Sequence, residues 1–185
     1  PSAIAAREIY MSAPENLQGA VAAGLMGVGS QFVGTIENNA VLLAQLVTLP
    51  DGNTRREKAR QIIADHRAAK TLLPGFGHHL HKPEDPRAQR LIGMGREAGF
   101  AGGYLDSLEL LGKEIDAAFA KHVPINATGV VAALMGEMNI PVKLMRGFAV
   151  ISRAAGLVAH IAEEQQRPSG RHIWDLVDKS IPYEE

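Results

Sequence analysis

The chain has 185 residues, 46% of them hydrophobic and 21% charged, with 5% aromatics and no cysteine. This composition excludes a disordered chain, a disulfide scaffold, a thiol nucleophile and a cysteine-held zinc or iron–sulfur centre. Nineteen Lys and Arg against twenty Asp and Glu leave no field able to hold nucleic acid or an anionic membrane non-specifically.

The start Pro1-Ser2-Ala3 lacks the basic and leucine-rich regions of a secretory signal, and with the absence of cysteine this predicts a cytoplasmic protein. Apolar residues recur at helical spacing almost throughout, and no stretch alternates β-branched residues over strand length, which predicts an all-α fold. Helices are expected near 15–28, 36–48, 54–70, 86–98, 102–121, 127–138, 142–165 and 171–178. Ser12 with Glu15 reads as a capping box that opens the first of them. Gly19, Ala23 and Gly27 share one face of that helix, either for close approach of another helix or subunit, or as ordinary Ala-rich core. Pro50-Asp51-Gly52-Asn53 is a turn signal, and Asp85-Pro86 is an N-cap followed by Pro at the first helical position.

Leu105, Leu108, Leu111, Ile115 and Phe119 form one apolar stripe, and Leu144, Phe148, Ile151, Ala155 and Val158 another. Asn139-Ile140-Pro141 separates two helices. No apolar run is expected to reach bilayer length without interruption by Gly, Asn, Gln or a charge. Charge is dense over 53–122, whereas 15–48 and 123–162 are mostly small and apolar. That shift predicts two lobes, with the outer stretches pairing into an apolar one and the middle more solvated.

The glycines of Gly24-Leu25-Met26-Gly27-Val28-Gly29 and Gly93-Met94-Gly95 follow no strand, so they do not make a dinucleotide cradle. The segment Pro74-Gly75-Phe76-Gly77-His78-His79-Leu80-His81-Lys82-Pro83-Glu84-Asp85-Pro86-Arg87 is richer in chemistry. His78, His79 and His81 are badly spaced for a metal and lack a fourth ligand, so no metal site is predicted. As an anion site the segment reads better. Arg87 can grip a carboxylate bidentately, His78 can exchange a proton near neutral pH, and Lys82 supplies a point charge for phosphate. The alternative is a solvated loop with incidental histidines.

Arg146, Arg153 and His160 lie seven residues apart on one helix face. Arg153 sits among apolar neighbours with no acid one turn away, so either a ligand carboxylate supplies its counter-charge or it is a surface arginine on an amphipathic helix. His160-x-x-Glu163-Glu164 lacks the second histidine of a metalloprotease motif and reads as solvated helix charge.

These segments resemble the citrate synthase superfamily. Residues 75–88, G-F-G-H-H-L-H-K-P-E-D-P-R-A, are similar to its G-x-G-H-x-x-x-K/R…D-P-R-x loop; I-S-R-A-A-G (151–156) resembles its arginine-bearing helix, and P-I-N-A-T-G (124–129) the segment of its catalytic aspartate. G-S-Q-F-V-G-T (29–35) and R-H-I-W-D (171–175) are most similar to citryl-CoA lyases and the citrate-synthase-homology module of ATP-citrate lyase. The resemblance implies a two-lobed all-α fold, an obligate homodimer, and a cleft for a coenzyme A thioester co-substrate and a polycarboxylate, with no covalently bound cofactor. Residues 1–35 and 132–185 would form the large domain, and 36–131 the small, CoA-binding one. His78 would bond the oxygen on the reacting carbon, and Arg87 and Arg153 would bind substrate carboxylates. Arg167 would reach the partner subunit's site. Main chain at Leu73, Pro74, Gly75, Phe76 and Gly77 would receive adenine, and Lys82 a CoA phosphate.

Three departures from the family pattern shape the functional expectation. The family's enolate-stabilising histidine aligns with Phe32, and its catalytic aspartate with Thr128, which cannot be a general base near neutral pH but can donate a hydrogen bond. A further carboxylate-binding histidine would fall just before Pro1, so the chain is expected to begin inside the large domain. The implied activity is that of a citryl-CoA lyase, with His78 taking the hydroxyl proton and Thr128 or a backbone amide steadying the departing enolate. The alternatives are a catalytically silent CoA- or tricarboxylate-binding subunit, and a plain helical dimerisation module.

Overall fold

The computed structural model describes residues 1–30, 34–50, 52–100 and 102–182. Among these the secondary structure is helical: α1 (Ser2–Ser12), α2 (Leu17–Met26), α3 (Thr35–Val47), α4 (Asn53–Ala68), α5 (Pro86–Glu97), α6 (Gly103–Phe119), α7 (Ala127–Glu137), α8 (Val142–Gln166) and α9 (Gly170–Ser180). The only pairing of extended backbone among the described residues is an isolated antiparallel bridge between Phe76 and Ile125. All eight expected helices are present, the first as α2, with α1 in addition, and the all-α expectation holds.

The chain forms two compact units, Pro1–Val33 with Gly147–Glu185, and Gly34–Arg146. In the second, α3 packs against α4, α6 and α7, α6 against α4 and α7, and α5 against α7. The apolar helices α3 and α7 therefore supply the middle of the charge-dense unit, and the expected segregation of apolar from charged stretches is overturned. Burial explains why: the charge of α4 and α5 lies on outer faces, and their small apolar faces need α3, α6 and α7 to cover them. One core joins Leu43, Ala88, Leu105, Leu108, Val130 and Ala133, and a second joins Leu46, Ala59, Ile62, Ile63, Leu111 and Ile115. The stripe on α6 predicted from Leu105 to Ile115 is thus buried as expected, whereas Phe119 is largely exposed.

In the first unit, α1 packs against α2 and α9. No periodicity announces α1, because its buried face is Ser2, Ala6 and Arg7 while Ile4 and Ile9 are exposed. Ser12 consequently ends α1 and caps nothing; the N-cap of α2 is Asn16, whose side chain accepts from the Gly19 amide at 3.0 Å. The tight side of α2 is Ala20 and Gly24, not Gly19 and Ala23. A Cβ at Gly24 would lie 2.9 Å from the Ser2 carbonyl and 2.7 Å from the Leu157 side chain, so only glycine admits α1 and α8 at that distance.

The α8 stripe of Leu144, Phe148, Ile151 and Val158 is exposed, and the buried residues of that helix are Met145, Leu157, Ile161 and Glu164. By length and composition α8 is apolar enough to cross a membrane, with a mean hydropathy of 1.3 over its best window, which corrects the expectation that charges break every such run. Arg146 and Arg153 interrupt the run, but the apolar residues around them outweigh two charges in the average.

Glu164 is not solvated helix charge. It accepts from Arg7 Nη1 at 2.7 Å, from the Ser169 hydroxyl at 2.7 Å, and from the Ser169 and Gly170 amides at 2.8 and 2.7 Å. The network ties α1 to the α8–α9 turn, and Arg7 also bonds Glu163 and His160. Burial alone would raise the Glu164 pKa, but the donors from Gly170, Ser169 and Arg7 outweigh it and hold the group at about 2. A carboxylate depressed in the fold contributes stability above its unfolded pKa and loses it as pH falls through the folded one. Acid unfolding followed by circular dichroism should therefore show a loss between the ordinary glutamate value of 4.5 and about 2 that Glu164→Ala removes. That variant should also lose about 3 kcal/mol at neutral pH, because Arg7 is left buried with a weakened partner set.

Candidate active site

The segment from Leu73 to Arg87 is held by its own side chains rather than by regular structure. Phe76 packs against both cores of the second unit and Leu73 against the second, so these two side chains plug the segment into the interior. Around it the Gly77 amide donates to the Pro124 carbonyl at 2.7 Å, the Asn126 amide to the Gly75 carbonyl at 3.0 Å, and Asn126 Nδ2 to the Gly77 carbonyl at 2.9 Å. Gly75 has φ +89°, and a Cβ there would meet Asn39 Nδ2 at 2.4 Å and Gly129 Cα at 2.9 Å. Glycine is thus required both by the left-handed backbone and by the approach of α7. Asn39, fully buried on α3, donates to the Pro74 carbonyl at 2.7 Å.

Asp85 is the centre of the arrangement. Its carboxylate is fully buried and accepts four hydrogen bonds. Oδ1 takes the Arg87 amide and Nε, both at 3.0 Å; Oδ2 takes Arg87 Nη2 at 2.8 Å and the Ala127 amide at 3.1 Å. One side chain therefore caps α5, binds the first free amide of α7, and holds the Arg87 guanidinium. The guanidinium first, and the two amides after it, keep the Asp85 carboxyl far below the ordinary carboxylate range despite burial. Pro86 at the first helical position completes the cap that the sequence predicts.

The geometry of His78 decides its protonation. Nδ1 accepts from the Leu80 and His81 amides, each at 3.1 Å. An amide nitrogen can only donate here, so Nδ1 carries no hydrogen and the neutral ring bears it on Nε2. Burial, then the neighbouring rings of His81 and His79, then Arg87, push the His78 pKa below its ordinary value. The His79 ring stacks on His78 at a centroid distance of 4.7 Å, and the His81 ring packs on it at 4.5 Å, tilted by 33°. Arg87 Nη2 lies 3.1 Å from His78 Nε2. The guanidinium can only donate, so this contact calls for a lone pair on Nε2 while the two amides call for one on Nδ1; the tautomer that satisfies both amides sets Nε2–H against Nη2–H, a conflict that one oxygen accepting from both relieves. In this tautomer Nε2 gives a hydrogen, and taking the hydroxyl proton there, the role expected of His78, calls for the other one.

Thr128 lies in the first turn of α7, two residues past Asn126, the N-cap that binds the Gly77 carbonyl. Its hydroxyl donates to Asn126 Oδ1 at 2.7 Å, so the hydrogen expected to steady an enolate is already committed. Lys82 is exposed at the loop tip, and it makes no ion pair among the described residues. Arg153 and Arg167 belong to the first unit, both exposed; the Arg167 amide donates to the Glu163 carbonyl at 2.7 Å. Arg146, on the predicted stripe with Arg153, is paired with Glu37. Phe32 lies outside the described residues.

Leu73, Phe76 and Gly77 line a cavity of about 430 Å³ with Ile63, Ile115 and Phe119, so three of the five residues expected to meet adenine border an open space. On the other flank His122 bridges Glu84 and Asp116, which raise its pKa. Sequence reasoning missed Asn39, Asn126 and the second half of Asp85's role. Asn39 carries a signal in retrospect: it falls three residues after Ile36 and four before Leu43, a polar residue inside an apolar stripe. Replacing Asp85 by Asn should lower stability in urea unfolding by about 2–3 kcal/mol, through loss of charged hydrogen bonds. By NMR titration the same variant should lower the His78 pKa further, because a negative charge that favours the imidazolium is removed.

Residues 1–174 match the family described as citrate synthase, C-terminal domain. ATP-citrate synthase subunit 1 of Sordaria macrospora is 22% identical over 94% of this chain, and the chain spans 27% of that protein's length. The structure of citryl-CoA lyase from Hydrogenobacter thermophilus superposes with a TM-score of 0.84 at 30% identity, over all of this chain and 70% of that one. The fold is also that of an ATP citrate lyase from Methanothrix soehngenii solved with citrate and coenzyme A (TM-score 0.71, 21% identity, all of this chain and 30% of that one). A family match over nearly the whole length, on a fold whose His78–Asp85–Arg87 loop is built as described, makes this chain a member of the citrate synthase family.

Proposed function

We propose that this chain binds a coenzyme A thioester and a polycarboxylate and works on the carbon–carbon bond between them. It would cleave a citryl-CoA-type thioester, or form one from an acyl-CoA enolate and a 2-oxo acid. The observation that carries this reading is the pair of donors at His78 Nε2 and Arg87 Nη2, 3.1 Å apart and both fixed from behind. One oxygen that gains negative charge satisfies both.

Cleavage and formation share one species, the alkoxide on the carbon that bears the hydroxyl. From it the carbonyl reforms, the carbon–carbon bond breaks, and its electrons pass to the thioester enolate, whose carbon takes one proton from water in exchange for the one the hydroxyl released to water; formation is the reverse. Donors already aimed at the alkoxide oxygen stabilise it without reorganisation, which also eases loss of the hydroxyl proton. A neutral imidazole is suited to this, because it donates without needing to be charged. Arg87 Nη1, which Asp85 does not use, is left for a substrate carboxylate.

The remaining roles follow the family likeness: Arg153 and Arg167 on further carboxylates, main chain from Leu73 to Gly77 on adenine, Lys82 on a CoA phosphate. Residues 36–131 would be the CoA-binding domain and 1–35 with 132–185 the large one. A homodimer is supported by the exposed apolar side chains of α8, with Ile151 69% and Val158 48% exposed. A second reading, a silent subunit that binds the same ligands, is favoured by Thr128: its hydroxyl cannot replace a carboxylate base, a loss of about 10²–10⁴ in rate.

Incubation of the full-length protein with citryl-CoA separates these readings. Release of acetyl-CoA that falls about 10²-fold or more in His78→Ala supports the lyase. Calorimetric binding of CoA and citrate with no release supports the silent subunit, and no heat with either ligand overturns both. Ile151→Glu should convert a dimer to a monomer in light scattering while leaving the helical spectrum unchanged, since the side chain is outside the core.

A further inference from the structure

Resting on the reading of His78 and Arg87 as the working pair, we propose that His122 is a positioning residue for both, and that it holds the histidine loop only while its ring carries two protons. Loss of one proton frees Glu84 and slackens the loop, so the order of the site depends on pH near neutrality.

His122 lies in the connection between α6 and α7, with a carboxylate on each ring nitrogen. Nδ1 is 2.6 Å from Asp116 Oδ2, in the last turn of α6, and Nε2 is 3.0 Å from Glu84 Oε1, in the histidine loop. An ionised carboxylate only accepts, so both nitrogens must donate, and only the imidazolium has two N–H groups. His78 is the opposite case, since two amides donate to its Nδ1. Asp116 first, and Glu84 after it, outweigh partial burial and raise the His122 pKa above the ordinary histidine value of 6.5. The hollow of about 180 Å³ beside the ring is also lined by Glu109 and Lys113 of α6, which are of opposite charge, and by the uncharged Gln89 of α5.

When the ring loses a proton its two arms are not equal. Asp116 Oδ1 also accepts the Val123 amide at 2.8 Å, so that carboxylate is fixed beside Nδ1 and keeps the remaining hydrogen there. Nε2 then turns a lone pair toward Glu84, and two acceptors at that distance repel. Glu84 is otherwise bound only to Gln89 Nε2, at 3.2 Å.

The release of Glu84 matters because of its place in the loop. Gly77 is fixed by the Pro124 carbonyl and by Asn126, and Asp85 by its four hydrogen bonds. Between these two anchors, among the described residues, the Glu84–His122 pair is the one side-chain bond that reaches beyond the loop and α5. Leu80 and His81, whose amides aim the His78 ring, lie in that span. A histidine whose pKa the fold raises contributes its stabilisation below the unfolded value and loses it as pH climbs through the folded one. The loop is therefore held below pH 6.5 and released as pH passes the raised value.

Heteronuclear NMR of the full-length protein from about pH 5 to about pH 9, spanning the histidine range, tests this with no ligand present. The Leu80 and His81 amide signals should move in two steps. One, below pH 6.5, follows the His78 ring, and the other, above it, shares its midpoint with the His122 ring. Glu84→Gln should remove the upper step, because a side-chain amide can accept from Nε2–H and donate to a bare Nε2 alike. It should also lower the His122 pKa, since a negative charge is lost. His122→Phe should hold the two amides at their high-pH positions down to the His78 titration. Its helical spectrum should be unchanged, as the ring is 45% exposed. An upper step missing from the unaltered protein, or one that survives in Glu84→Gln, would overturn the clamp. Because no substrate enters the measurement, absence of turnover with citryl-CoA leaves the clamp standing, and loss of the clamp leaves the lyase reading standing.

Discussion

The candidate site depends on one buried carboxylate. Asp85 lies at the junction of three segments, the histidine loop, the start of α5 and the start of α7, and its carboxylate bonds to both helix starts. A charged oxygen with no solvent must be met by donors, and the local chain supplies four of them. An uncompensated carboxylate in that position would be strongly destabilising, so the three segments are held in the one arrangement that satisfies it. Arg87 is positioned as a consequence, and His78 is positioned through Arg87 and the two amides behind its ring.

That rigidity has a chemical result. A histidine free to rotate presents either nitrogen and either tautomer, and a loop histidine in water would titrate at its ordinary value. His78 does neither: two amides fix the tautomer, and its neighbours disfavour the cation. The group that faces Arg87 is therefore a neutral N–H donor near neutral pH. Preorganised donors of this kind act on oxygen that gains charge during a reaction, and they do so without a change of their own protonation state.

Much of the fold was legible from the sequence because most helices bury a conventional apolar stripe. Leu105 to Ile115 on α6 and Leu43 with Leu46 on α3 are read directly from spacing. The failures share a cause. In α1 the buried face is Ser2, Ala6 and Arg7, and in α8 the apolar stripe points outward while Leu157, Ile161 and Glu164 point in. Periodicity registers where apolar residues recur, and it is blind to a helix buried through an ion pair or one whose apolar face is left exposed. The site divides in the same way. His78 and Arg87 were visible as residue types in a constrained loop, whereas the tautomer of His78 depends on two amides that no side-chain pattern encodes. The hydrogen bond from the Thr128 hydroxyl to Asn126 is likewise beyond what a residue type shows.

The charge of the assembled group bears on what it can bind. Asp85 is negative, Arg87 positive and His78 neutral, so the trio has no net charge; its strength lies in direction, with donors outward and the carboxylate buried behind. The N-terminus of α7 adds little for an anion, because Asp85 accepts the Ala127 amide and Asn126 accepts the Gly129 amide and the Thr128 hydroxyl. A helix end so capped by the protein's own oxygens has spent the donors that elsewhere make such ends anion sites. One oxyanion can be held by geometry alone at His78 and Arg87. A ligand with several carboxylates and phosphates needs cations beyond this group, and in the same unit the exposed side chains of Arg67, Lys70 and Lys82 carry no carboxylate partner among the described residues.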